Sequence, residues 1–150
     1  MGESASSTRH WITSVRQEGR LKPRQVVRNL VVERKVFAIR EATHARTWPS
    51  QGDRICFYAV RSGVVAEARI ASKPERENNP LTTNQGEFPF VFAVDEVRDY
   101  SEPIAIDLRL RRRLEAFEGR DLAAQWGWFV RRMHTISKRD FRVLTGAPEG

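Results

Sequence analysis

Apolar residues recur at every second position near the start of the chain and at every third or fourth soon after. From His10 to Arg16, Trp11, Thr13 and Val15 alternate with Ile12 and Ser14, which predicts a first strand. Gly19 and Lys22-Pro23 break it. Pro23 suits the first position of a helix, and Val26, Val27, Leu30 and Val31 follow at helical spacing with Arg24, Arg28 and Asn29 outside. A short strand is predicted over Lys35–Ile39, then a loop over Arg40–Gln51, then a strongly apolar strand over Arg54–Val60. Ser62-Gly63 reads as a turn that returns the chain through Val64–Ser72 as the second arm of a hairpin. In that arm Val64, Ala66, Ala68 and Ile70 would face one way, and Val65, Glu67, Arg69 and Ala71 the other.

Lys73–Glu87 reads as a polar loop, and Phe88–Val97 as a strand with Phe88, Phe90, Phe92 and Val94 on one side. Pro103–Ile106 is a short strand or an extended lead into a helix. Ile106, Leu110, Leu114 and Phe117 then recur as one helix face that Gly119 stops, and Gln125–Met133 reads as aromatic and extended. Ser137 is a good N-cap for a last helix, Lys138–Leu144, with Gly146 closing it. No strand–helix–strand repetition is sustained, which argues against a doubly wound sheet. The order fits an α+β fold: a small mixed barrel or strongly bent sheet with helices at its ends. Residues 1–8 and 147–150 read as small, polar tails, leaving a single domain over 9–146.

At 150 residues, 40% hydrophobic and 30% charged, the composition is that of an ordinary globular domain able to bury a core without a metal or disulfide staple. No apolar run approaches the ~20 residues of a membrane helix, and the start lacks the apolar region of a secretory signal. Cys56 stands alone, so no internal disulfide is possible. No membrane partner and a cytoplasmic location are therefore expected. The net charge of +7 changes the picture more, because arginine dominates it, with 22 Arg against 4 Lys. Residues 1–50 carry 10 basic and 4 acidic side chains, 51–100 carry 6 and 8, and 101–150 carry 10 and 7. A surface that joins the two ends of the chain would be basic, and guanidinium suits phosphate.

Little in the sequence points to catalysis. His10, His44, His134 and Cys56 are scattered without metal-ligand spacing, so neither a metal site nor a cofactor is expected. Cys56 lies within an apolar strand and reads as a small buried hydrophobe. Phosphate-cradling glycine loops and a nucleophile elbow are lacking. Asp53 follows Gly52 and would bond the turn backbone, while Glu67 and Asp140 read as surface carboxylates.

Aromatic residues mixed with arginine are the stronger signal. Trp126 and Trp128 flank Gly127, so on an extended strand both rings would point the same way, with Arg131 and Arg132 just beyond. Such mixtures can stack a base and hold its phosphates, although large aromatics also fill cores. Arg111, Arg112 and Arg113 either clamp phosphate or form a solvated helix face, and the latter is the commoner fate of a charge run.

Four stretches, in order, resemble the EVE domain family of the PUA-like superfamily, which also holds the YTH and ASCH domains. They are His10-Trp11-Ile12-Thr13, the turn and strand from Pro49 to Tyr58, the strand from Gly63 to Pro74, and Met133 to Phe141, in which Ile136 to Phe141 looks like the closing helix motif. The ASCH pattern GxKxxExR is missing. The resemblance implies a PUA-like mixed β-barrel with flanking helices that reads a modified base in DNA or RNA, such as a C5-modified cytosine or an N-methylated adenine. Where these families commonly carry Trp, this chain has Phe37.

On this reading the chain is a non-enzymatic binding module. Phe37 with Trp126 or Trp128 would sandwich the base, near Tyr58, while Arg16 or Gln17 reads its edge. Arg40, Arg46, Arg131 and Arg132 would hold the flanking phosphates. Extruding a base costs a few kcal/mol and stacking returns about 1–3 kcal/mol, so contacts to the backbone must supply the affinity. Two other classes compete: a small enzyme acting on a nucleotide or another small molecule, and a basic domain that meets an acidic protein.

Overall fold

Neighbouring residues on one strand, Phe57 and Tyr58, face two different hydrophobic cores, and that alternation organises the molecule. A computed structural model describes residues 8–17, 19–39, 48–76 and 90–146. The predicted loop around Arg40 and Arg46, Phe88, and the tails at 1–7 and 147–150 lie outside them.

The strands are β1 (His10–Val15), β2 (Val36–Ile39), β3 (Arg54–Ala59), β4 (Gly63–Ile70), β5 (Glu75–Arg76), β6 (Phe90–Ile104) and β7 (His134–Ile136). They form one mixed sheet in the order β2-β6-β4-β3-β1-β7, with β5 also on β6. β1 runs parallel to β3, with Trp11 opposite Ile55, and the other pairings are antiparallel. The sheet curls into a half-barrel, so the chain is an α+β, barrel-like fold.

One 15-residue strand, β6, spans what the apolar pattern divides into a strand and a separate extended piece near Pro103. It pairs with β2 through Phe90–Ala93 and with β4 from Val94 to Ile104. Register shifts between Glu67 and Arg69, and a left-handed φ of +48° at Glu96, bend it on the way. Pro103 is tolerated because it stands next to the strand's last residue.

The first core gathers Trp11, Val15, Phe37, Phe57, Phe92 and Val94 with Val26, Val27, Leu30 and Val31. The last four come from α1 (Pro23–Val27) and a π-helical turn that prolongs it over Arg28–Glu33, as the helical spacing predicts. Pro23 opens α1, and the Gln25 side chain accepts from the Lys22 backbone N–H. The second core gathers Ile12, Cys56, Tyr58, Val64, Tyr100 and Phe129 with Phe141, Val143 and Leu144 of α3 (Lys138–Thr145). Ser137 Oγ accepts from the Asp140 N–H at 3.0 Å, and Gly146 ends the helix at φ +69°.

β4 departs from its expected alternation. A bulge sets Ala66 opposite Phe57 but Val64 opposite Tyr58, so Val65 and Ala66 join the first core and Val64 alone joins the second. The helix expected over 106–117 is also interrupted. α2 covers only Leu108–Arg112, with Asp107 accepting from the Leu110 N–H, and Leu114 is extended before a 3-10 turn at Glu115–Phe117. Ile106, Leu110, Leu114 and Phe117 are nevertheless all buried. Asp140, read as a surface carboxylate, is 2% exposed and accepts from the Glu115 and Ala116 N–H groups, capping that turn.

Candidate functional site

The turns after α2 cover the second core incompletely, and a recess of about 840 Å3 opens between them and the ends of β1 and β3. That size falls in the ~300–1,000 Å3 range of small-ligand pockets. Its aromatic wall is Tyr58 and Trp126, whose rings meet edge to face with centroids 6.1 Å apart. Apolar side chains of Pro23, Val60, Ala123 and Val130 widen that wall.

Among the described residues four arginines line the recess, namely Arg16, Arg61, Arg111 and Arg131, and no carboxylate does. Arg16 and Gln17 leave the end of β1, and the Gln17 amide nitrogen donates to the Gly19 carbonyl. Arg61 sits at the tip of the β3–β4 hairpin with a left-handed φ of +71°, a conformation that costs about 1 kcal/mol or more for a residue with a Cβ. The Arg111 guanidinium lies 4.9 Å from the centre of the Trp126 ring and donates to the Ile106 carbonyl at 2.7 Å and the Leu122 carbonyl at 3.3 Å. It is thereby fixed over one face of the indole. Arg16, Arg61 and Arg131 are exposed and form no ion pair with any described residue. The result is an aromatic wall beside a cationic rim, suited to an anionic ligand that carries a ring.

Five residues singled out from the sequence meet here: Arg16, Gln17, Tyr58, Trp126 and Arg131. Phe37 does not. It lies in the first core, edge-on to Phe57 at 5.1 Å and to Phe92 at 6.0 Å, on the far side of the sheet from Tyr58. No base can stack between Phe37 and Trp126, because the sheet separates them. Trp128 is corrected as well. Residues 127–129 form a 3-10 turn, with the Phe129 N–H bonded to the Trp126 carbonyl, instead of an extended strand. Two residues apart in such a turn point in different directions. Trp128 packs on Phe117 at 5.0 Å and under Arg120 at 4.1 Å, away from the recess. Arg132 is exposed but does not line it, and Arg40 and Arg46 lie outside the described residues.

Arg61, Arg111 and Gln125 also line the recess, and periodicity does not find them. Arg61 belongs to a hairpin tip whose position depends on the β3–β4 register. Arg111 sits in a charge run that reads as solvated, yet it alone of Arg111, Arg112 and Arg113 is half-buried.

The remaining polar groups have structural work. Asp53 is 2% exposed and accepts from the Trp11 indole at 2.9 Å, the Ser50 N–H at 2.9 Å and the Arg9 N–H at 3.1 Å. Glu67 accepts from the Tyr100 hydroxyl at 2.8 Å beside the buried Cys56, whose thiol burial pushes well above its usual range. Among the described residues no group of three or more His, Cys, Asp and Glu could hold a metal ion. No helix among them is long and apolar enough to cross a membrane.

No protein-family model and no curated protein matches the chain. Among solved structures it is similar to the NMR structure of Rpa0253 from Rhodopseudomonas palustris. The TM-score is 0.51 at 12% identity, over 93% of this chain and 92% of that one. A likeness of that kind speaks for the shared fold, a curled mixed sheet with few helices.

Proposed function

We propose that this chain is a non-enzymatic nucleic-acid-binding module that takes a single nucleobase into the recess walled by Tyr58 and Trp126. The observation that carries this reading is the lining itself: among the described residues, four arginines, two aromatic rings and no carboxylate. A base would stack on the Trp126 face that Arg111 leaves open. Arg16, Arg61 and Arg131 would meet the phosphates on either side, while Gln17 and Gln125 bond its edge. Stacking contributes about 1–3 kcal/mol per base, and each phosphate contact adds affinity that falls with salt.

The finer reading, a PUA-like reader of a modified base, rests on the resemblance to EVE domains. The small apolar side chains of Ala123, Ala124 and Val130 beside the ring give a methyl or hydroxymethyl group somewhere to rest. So little added area supports discrimination of about 10–100-fold. A cytoplasmic location belongs to the same reading.

The test is a binding screen with short single- and double-stranded DNA and RNA carrying plain, methylated or hydroxymethylated bases. It is followed by fluorescence anisotropy and by quenching of tryptophan emission. Binding should weaken at least tenfold in Trp126→Ala and hold in Trp128→Ala. For single strands, log K should fall linearly with log salt by about 0.7 per phosphate contacted. No detectable binding at low salt, or a Trp126→Ala protein that binds like the parent, would sink the proposal.

A further inference from the structure

A second recess, of about 690 Å3, lies at the opposite end of β1. The first recess takes Arg16 and Gln17 from just beyond the last residue of β1, and the second takes Arg9 and His10 from its start. Six residues of strand at about 3.3 Å each separate them by roughly 20 Å. β7 runs antiparallel to β1 at this edge of the sheet, and its two ends reach the two recesses in the same way. Val130 and Arg131, just before it, line the first; Thr135, Ile136 and Lys138 line the second.

The second recess is also cationic, and among the described residues no carboxylate lines it. Arg9, Arg54 and Lys138 converge on it around the His10 imidazole, whose ring rests on Phe141 at 5.0 Å. The nearest acids are already engaged. Asp53 is turned inward to Trp11, Ser50 and Arg9, with its side chain 4% exposed. Glu96 is shared between Arg54 at 3.1 Å and Arg69 at 3.0 Å. Lys138 forms no ion pair with any described residue. His10 senses the outcome: burial, Lys138, Arg54 and Arg142 depress its basicity, and only Asp53 opposes them. With Arg9 paired to Asp53 and Arg54 to Glu96, Lys138 is the cation left without an acid among the described residues, beside the His10 imidazole and the hydroxyls of Thr8 and Thr135.

We infer that the recess formed by Arg9, His10, Arg54 and Lys138 is a second phosphate-binding subsite, which takes a backbone phosphate of the same strand whose base occupies the Trp126 recess. The inference rests on the function proposed above. The edge of the sheet between the subsites is then the track of the strand. At about 3.4 Å per stacked nucleotide, roughly six nucleotides span it, and fewer do if the strand is extended.

The experiment follows His10 by NMR in the full chain. Its pKa is measured free, with a mononucleotide and with a single-stranded decamer, alongside salt series for the parent, Lys138→Ala and Trp126→Ala. A phosphate beside the imidazole stabilises its protonated form. The decamer should therefore raise the His10 pKa and the mononucleotide should not, and Lys138→Ala should flatten the salt slope by about 0.7. If the decamer binds in a Trp126-dependent manner while His10 stays unmoved and the Lys138→Ala slope matches the parent, the second subsite is refuted and the first stands. If the mononucleotide raises the His10 pKa as much as the decamer, a free phosphate is the occupant and the shared track is refuted. A decamer that moves His10 but ignores Trp126→Ala refutes the base recess instead. No binding by any oligonucleotide overturns both.

Discussion

Replacing Asp53 by Ala should cost about 2–4 kcal/mol of folding stability. This carboxylate joins the two parallel strands, reaching from the head of β3 to the Trp11 indole on β1 at 2.9 Å. Trp11 is 1% exposed, so no water can replace the lost acceptor. Leaving such a donor unsatisfied costs about 1–3 kcal/mol. The Ser50 and Arg9 amides lie in partly buried surroundings and recover water, which limits each to a further ~0.5–1 kcal/mol. Removing a buried charge returns some desolvation energy in compensation. Asp53→Asn should lose nearly as much, because its amide nitrogen would face an N–H group where an acceptor is required.

The assay is equilibrium urea unfolding followed by tryptophan emission, reading the midpoint at unchanged slope. A double-mutant cycle isolates the indole contact. In a Trp11→Phe background the donor is already gone, so Asp53→Ala should cost about 1–2 kcal/mol less than in the parent. Equal costs in the two backgrounds, or a single-mutant loss below about 1 kcal/mol, would show that the indole bond is not what ties β1 to β3.

Phe37→Ala should lose about 3–5 kcal/mol of stability, as expected for a large side chain packed among Phe57 and Phe92, yet leave oligonucleotide affinity of the folded protein unchanged; Trp126→Ala, at a half-buried ring, should cost less stability but lower affinity, with both read by urea unfolding and anisotropy. Gly63→Ala should cost more than about 3 kcal/mol, measured as a collapse of the thermal midpoint, because φ is +128° and an added Cβ would stand 2.5 Å from the Ile104 carbonyl oxygen. Burial raises the pKa of the Asp140 carboxyl above its ordinary value, so the native state takes up this proton more readily than the unfolded chain as pH falls. Between that raised value and the unfolded value near ~3.9, stability contributed by the group grows with acidity. The parent should therefore gain on Asp140→Asn between pH 7 and pH 4 in paired urea titrations, and a constant difference would contradict the direction.

Where local signals were self-sufficient, the sequence read true. β1 and β3 alternate or run apolar between clear breakers, α1 opens on Pro23, and α3 has both its Ser137 cap and its Gly146 stop. Each of these is decided by residues within one turn or one strand. The failures lie where distant partners decide. β4 changes phase because of a bulge against Phe57 and Tyr58. The 106–117 segment keeps its buried set, but Asp140 caps a turn at Glu115 that no helical period announces. Trp126 and Trp128 part company because hydrogen bonds within 126–130 wind a 3-10 turn where alternation suggests a strand. The candidate recess was legible in its residue types and in five of its members. Its other members were hidden because a hairpin tip and a half-buried arginine are positioned by tertiary packing alone.

The residues that carry the family resemblance and the residues that line the recess are largely different sets, and the fold explains why. Trp11 and Asp53, from two of the motifs, hydrogen-bond to each other. The Ser137 and Asp140 pair of another motif caps two elements far apart in sequence, α3 and the Glu115 turn. Gly63 of the fourth allows β4 to pass against the Ile104 backbone. These are constraints on how a curled sheet closes, and they act through buried donors, acceptors and close backbone contact. Tyr58 is the point where scaffold and recess touch: it continues the motif strand of Asp53, and its ring faces Trp126 because Phe57 must face the first core. One step of alternation on β3 therefore assigns one aromatic ring to stability and the next to the cationic recess.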